Sequence, residues 1–138
     1  MNLVEKLLKA DVKTADEKET KTFPSKRLQK ILGANEPVPV IIRELNPRRI
    51  NDIVDYQIKK DGSVDLTKTY DASLMMCVEG CVEPDLKDKE LQDHFGCKSA
   101  RDLAEKLFRA EAGDIAKAIS VLSGAEEDEK EQEDETKN

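Results

Sequence analysis

Tryptophan is absent, aromatic residues make up 4% of the 138-residue chain, and His94 is its one histidine. With so few rings the chain offers no stacking platform for nucleic-acid bases, and any Ser/His/Asp or Cys/His nucleophilic arrangement would have to use that one imidazole. The glycines are scattered singly, which excludes a glycine-rich phosphate cradle. No run of about 18 apolar residues occurs, so no membrane span is expected. Met1-Asn-Leu-Val-Glu-Lys-Leu-Leu8 mixes acid and base with its apolar residues and lacks an apolar core followed by a small-residue cleavage site. It does not read as a secretory leader, and a cytoplasmic location is expected. Three cysteines, an odd number with no framework spacing, fit reduced thiols in that compartment.

What is present is charge and aliphatic residues, each 38% when all hydrophobic types are counted. That suits one small helical domain with a Leu/Ile/Val core and a strongly solvated surface. The formal charge of −7 is uneven: Ala125–Asn138 holds eight acids against two lysines, a net −6, leaving the rest nearly neutral. A neutral body with an acidic tail has no basic stripe for phosphates, so nucleic acid is not expected as a partner. The tail itself, 125–138, brings no apolar area to bury and is expected to be disordered.

Leu3, Val4, Leu7 and Leu8 recur at helical spacing, which predicts a short amphipathic helix over residues 2–10. It is too short to hold itself in water and must dock on the body, a partner or another copy. Residues 11–21 are polar apart from Val12 and Ala15 and read as a flexible linker. The single folded domain is expected over 22–124. Leu28–Leu32 could form one helical turn closed by Gly33, and the β-branched Pro37–Arg43 reads as a strand whose prolines confine it to an edge. Asn46-Pro47 starts a helix with Ile50, Ile53, Val54 and Ile58 as its stripe, ended by Gly62. A longer helix from about Asp65 carries Leu66, Tyr70, Leu74, Cys77, Val78, Cys81 and Val82 and stops at Pro84. Ser99-Ala-Arg-Asp102 is a capping box for a helix burying Leu103, Ala104, Leu107 and Phe108. A last helix, 113–123, buries Ile115, Ile119 and Leu122 and is capped by Gly124.

The most individual stretch is Glu83–Gly96, Glu-Pro-Asp-Leu-Lys-Asp-Lys-Glu-Leu-Gln-Asp-His-Phe-Gly. Asp85 and Asp88 can cap a short helix that puts Leu86, Leu91 and Phe95 on one side, with Lys87, Lys89, Glu90, Gln92 and Asp93 towards water and Gly96 as a left-handed stop. Physics alone makes this a corner between helices. Its wording, with Pro84, Asp85 and Leu86, then Leu91, Gln92 and Asp93, then Phe95 and Gly96, also resembles the signature of tail assembly chaperones of long-tailed phages and defective prophages of Gram-positive bacteria. The similarity runs more loosely from Ser25-Lys26-Arg27 to Gly124, with one departure: Glu111-Ala-Gly-Asp114 stands where the family often has Pro-Gly-Glu. The resemblance implies a small hairpin pairing the Phe23–Leu28 region with Val38–Arg43. It also implies a non-enzymatic protein of the host cytoplasm that binds and solubilises the tape-measure protein, helps recruit tail-tube subunits and is absent from the finished particle.

Other readings compete from the residues themselves. Cys77, Cys81, His94 and Cys97 are the residue types a structural zinc takes, and would make a small metal-binding or redox regulator; in an apolar stripe the same cysteines are simply small hydrophobes. Asp85, Asp88, Glu90 and Asp93 lack the glycine-centred loop of a calcium site and read as a solvated face. Met75 and Met76 serve either as core filling or as an adaptable partner surface, and Leu3, Leu7 and Leu8 of the N-terminal helix are the other candidate partner contacts. The expected architecture is therefore mainly α within the α+β class. It is a bundle of about five helices with a minor N-terminal hairpin, a flexible linker and an acidic tail, with neither cofactor nor metal required.

Overall fold

A computed structural model describes residues 1–127, so most of the expected acidic tail lies outside the described residues. Most helix starts follow the local chemistry of a side-chain cap, the helices that begin at Thr69 and Glu111 being the exceptions. Asn2 Oδ1 accepts from the Glu5 amide at 2.9 Å to open α1 (Leu3–Leu8), and Asp11 Oδ1 accepts from Lys13 at 2.9 Å to open α2 (Val12–Asp16). Strand β1 (Thr20–Ser25) runs into α3 (Lys26–Leu32), whose N-cap is Ser25 itself: its Oγ accepts from the Leu28 amide at 3.0 Å. Gly33 closes α3 at φ 65°, where its own amide and that of Ala34 reach back to Lys30 and Gln29.

The chain returns as β2 (Val38–Arg43), antiparallel to β1, with Thr20 opposite Arg43 and Ser25 opposite Val38. The expected hairpin is present but shifted towards the N-terminus, because Ser25 is committed to capping and residues 26–28 are helical. Residues 11–21, read as a linker, hold one short helix and the start of β1. Two local propensities, an aspartate cap and cross-strand pairing, order what composition alone marks as loose.

Helix α4 (Pro47–Asp55) begins as expected, with Asn46 Oδ1 accepting from Arg48 at 2.9 Å, but it ends before Ile58. Ile50 and Ile53 are buried, whereas Val54 and Ile58 remain exposed. A turn pairs Ile58 with Val64, and a 3-10 turn, Leu66–Lys68, leads into α5 (Thr69–Gly80).

The long helix expected to reach Val82 stops at Gly80. Cys81–Glu83 is β3, pairing Ile41 with Glu83 and Ile42 with Cys81 through a bulge. This overturns the edge assignment for β2, which is the middle strand of β1-β2-β3. The proline rule survives locally: β3 pairs only with Ile41 and Ile42, so Pro39 has no third strand beside it and faces Pro24. The unpaired backbone of β2 is what draws residues 81–83 out of the helix, since ladder bonds satisfy groups that a further helical turn before Pro84 could not.

Three helices complete the described residues: α6 (Lys89–His94), α7 (Ala100–Phe108) and α8 (Glu111–Leu122). Eight α-helices among the described residues exceed the five expected, the difference lying in short pieces. Helix α5 packs against α8, α7 and α4 and forms the centre. Val40 and Ile42 alternate inward from the sheet to meet Leu74 and Cys77 of α5, Leu103, Leu107 and Phe108 of α7, and Ile115 and Ile119 of α8. Gly80 permits the closest approach, because a Cβ there would collide with the Ile119 side chain.

Candidate protein-binding groove

The Glu83–Gly96 stretch is built by short-range hydrogen bonds. After a cis Glu83–Pro84 bond, Asp85 Oδ1 accepts from the Lys87 amide at 3.0 Å and its carbonyl from the Asp88 amide at 3.2 Å. Asp88 Oδ1 then accepts from Leu91 at 2.9 Å and opens α6. Gly96 at φ 68° turns the chain out of α6, and the Cys97 amide reaches the Gln92 carbonyl at 2.8 Å.

Gln92 corrects the sequence reading. It does not face water: it is 3% exposed, and its Nε2 donates to the Leu86 carbonyl at 2.9 Å. The amide braces the turn from below, and Leu86 is driven fully into the core beside it. The signature residues thus divide by role. Leu86 and Gln92 hold the loop down; Asp85, Asp88 and Gly96 shape it; Asp93 is exposed; Pro84, Leu91 and Phe95 look onto the surface half-buried.

Those last three form one wall of an apolar groove of about 240 Å³. Leu28, Ile31 and Leu32, at i, i+3 and i+4 on α3, form the other wall, with Val38, Pro39 and Leu107 completing it. Among the described residues Glu83 is its one charged lining residue. Leu32 is 67% exposed, so the groove is an open strip of aliphatic surface, not a cavity.

The α3 wall is fixed by a residue that sequence reading treated only as a departure from a pattern. Glu111, at the start of α8, accepts hydrogen bonds from the Ser25 hydroxyl, from the Lys26 amide at 2.9 Å and from the Arg27 amide at 3.4 Å. Arg27 in turn donates from Nε to the Leu107 carbonyl and from Nη2 to the Lys106 carbonyl, each at 3.3 Å. A carboxylate thereby completes the N-terminus of α3, and a guanidinium completes the carbonyl end of α7. No spacing rule links residues 25 and 111; the free amides expected at any helix start are the nearest sequence signal.

The other candidates fall elsewhere. Met76 is buried in the core and Met75 packs half-buried against it. Leu3, Leu7 and Leu8 are 64–80% exposed on α1. Cys77, Cys81, His94 and Cys97 are not brought together: among the described residues no group of three or more His, Cys, Asp or Glu side chains could hold a metal ion. Cys77 is buried against Cys81 and the Ala112 carbonyl, 3.5 Å from its Sγ. Its hydrogen bond with Cys81, then burial, push the thiol far above the usual thiol range, so it stays protonated. His94 is exposed, edge-on to Phe95 with 5.1 Å between ring centroids. The four-residue metal or redox reading therefore finds no assembled site. A wider depression of about 870 Å³ beside Tyr70 and Arg109 carries both Lys and Asp/Glu and selects neither sign of charge.

The chain is thus a small α+β fold with an open apolar groove, and among the described residues no helix is long and apolar enough to cross a membrane. Over residues 4–137 the chain matches the phage XkdN-like tail assembly chaperone proteins, and it belongs to that family. Its fold is similar to the crystal structure of the protein yqbn, at a TM-score of 0.56 and 17% identity, over 78% of this chain and 87% of that one. Comparison with curated proteins gave no match.

Proposed function

We propose that this chain is a non-enzymatic assembly chaperone acting in the host cytoplasm, where it binds the tape-measure protein, keeps it soluble, helps bring tail-tube subunits to it and leaves before the particle is finished. Family membership supports the role in tail assembly. The groove between α3 and the Pro84–Phe95 segment supports the means: its walls offer leucine, isoleucine and phenylalanine at helical spacing, which suits the apolar stripe of a client helix.

Each such contact is small and weak by itself. A long helical client repeats its stripe, so several copies of the chaperone can cover it without any one binding tightly, and each copy can be released singly. Glu83 beside the apolar strip gives a polar edge that favours a basic residue flanking the client's stripe. Co-expression with the tape-measure protein tests the reading. A client insoluble alone that becomes soluble and co-elutes with several copies of this chain supports it; a client that stays insoluble while the chain elutes by itself refutes it.

A further inference from the structure

Helix α1 presents an apolar face that no other described residue of its own chain covers. At about 100° per residue, Leu3, Leu7, Val4 and Leu8 fill one continuous arc, flanked by Lys6 on one side and Glu5 on the other. All four are exposed, in a helix of six residues, well below the length that persists in water. The groove lined by Leu32 and Phe95 is the complementary feature, an apolar trough that no described residue fills.

We infer that α1 of one copy docks in this groove of a second copy, and reciprocally, so that the free chaperone is a two-fold dimer in which each groove is covered by the other's N-terminal helix.

Size, charge and tether agree with this. The α3 wall from Leu28 to Leu32 rises roughly 6 Å and α1 roughly 7.5 Å, so a helix of less than two turns fills the trough. Glu83 at the trough meets Lys6 or Lys9 of the incoming helix. Residues 9–19, with α2 inside them, span at most roughly 28 Å, enough to cross to a neighbour. The same tether leaves the sheet at Thr20, opposite Arg43, whereas the groove opens at the other end, by Val38 and Pro39. Docking within one chain would lay the tether back along β1 for roughly 17 Å. Residues 1–22 are instead exposed throughout, so no such return is built. Reciprocal exchange also closes the assembly, because each copy gives one helix and one groove.

If the groove also receives the client, as proposed above, α1 is its stand-in and the client's stripe displaces it.

Size-exclusion with light scattering on the full chain over a concentration series tests the inference. The full chain is expected to be dimeric, and both Leu7→Asp/Leu8→Asp and Leu32→Asp are expected to weaken dimerisation by at least about tenfold. Both changes fall on exposed positions, and circular dichroism confirms that the body remains folded. Mixing the two variants is expected to give a heterodimer held by one of the two exchanges, weaker than the parent dimer but tighter than either variant alone, since one retains the groove and the other the helix. A full chain monomeric at every concentration, a dimer indifferent to both changes, or a mixture that does not pair would each overturn it. Client capture by the Leu7→Asp/Leu8→Asp chain separates the two readings. A monomeric full chain that still captures client sinks only the exchange, and a dimer that captures none sinks only the proposed function.

Discussion

The hydroxyl of Ser25, fully buried, donates to the carboxylate of Glu111, 86 residues further along the chain, while its own oxygen accepts from the Leu28 amide. One serine thereby caps α3 and ties that helix to the start of α8. The second oxygen of Glu111 takes the Lys26 and Arg27 amides, so the carboxylate serves several groups that would otherwise lack partners. Because α3 is one wall of the groove, this junction anchors that wall to α8.

Glu111→Ala should therefore destabilise the domain by about 2–3 kcal/mol, the range for removing charge-assisted bonds and leaving a buried hydroxyl unpaired. Urea denaturation measures it. Glu111→Gln, which retains an acceptor, should cost less than Glu111→Ala; equal stability of all three proteins would show that the junction does not hold the fold.

Gln92 braces the signature loop through the Leu86 carbonyl. Gln92→Ala should cost about 1–3 kcal/mol, because that carbonyl is left without its partner. Amide hydrogen exchange should accelerate first in residues 86–92, ahead of α7 and α8. Uniform protection, unchanged from the parent, would contradict the brace.

The protonated state of Cys77 gives stability a pH dependence. Its thiol is raised above the ordinary value of 9.0 in the folded chain, mainly by Cys81 and then by burial. Below about 9 both folded and unfolded chains keep it protonated and its contribution is constant. Above 9 the unfolded chain loses that proton while the folded chain keeps it, so stability falls with rising pH by up to about 1.4 kcal/mol per unit from this group. Stability against pH for Cys77→Ala, compared with the parent, isolates the effect: the alkaline slope should be shallower in the variant. Parallel slopes would remove Cys77 as the cause.

Much of this architecture is legible in the sequence because it is local. Asn46-Pro47, Ser99 with Asp102, and the aspartates at 85 and 88 act within three residues, and each cap forms where it is expected. The apolar positions of α7 and α8 named as core go inward from Leu103 to Ile119, while Leu122, also named, is half-buried. What the sequence conceals depends on distant partners. Nothing near Cys81–Val82 announces a strand; only the open edge of β2 makes it one. Gln92 reads as a solvated helix position until the Leu86 carbonyl is found beneath it. The groove was half visible: Pro84, Leu91 and Phe95 stand out in the signature, whereas Ile31, Leu32, Val38 and Pro39 gain meaning only when the sheet carries α3 alongside them.

If the apolar strip between α3 and the signature segment receives the client, as proposed, capture of soluble tape-measure protein should fail with Leu32→Asp and with Phe95→Asp. Each places a charge in a trough where, among the described residues, the one charged lining group is an acid, and the burial of an unpaired carboxylate costs several kcal/mol. Client recovery in the soluble fraction should fall at least about tenfold for Leu32→Asp, which is exposed and leaves the body folded, and Phe95→Asp should follow it. Undiminished capture by both variants, with circular dichroism unchanged, would contradict the claim and move the binding surface elsewhere on the molecule.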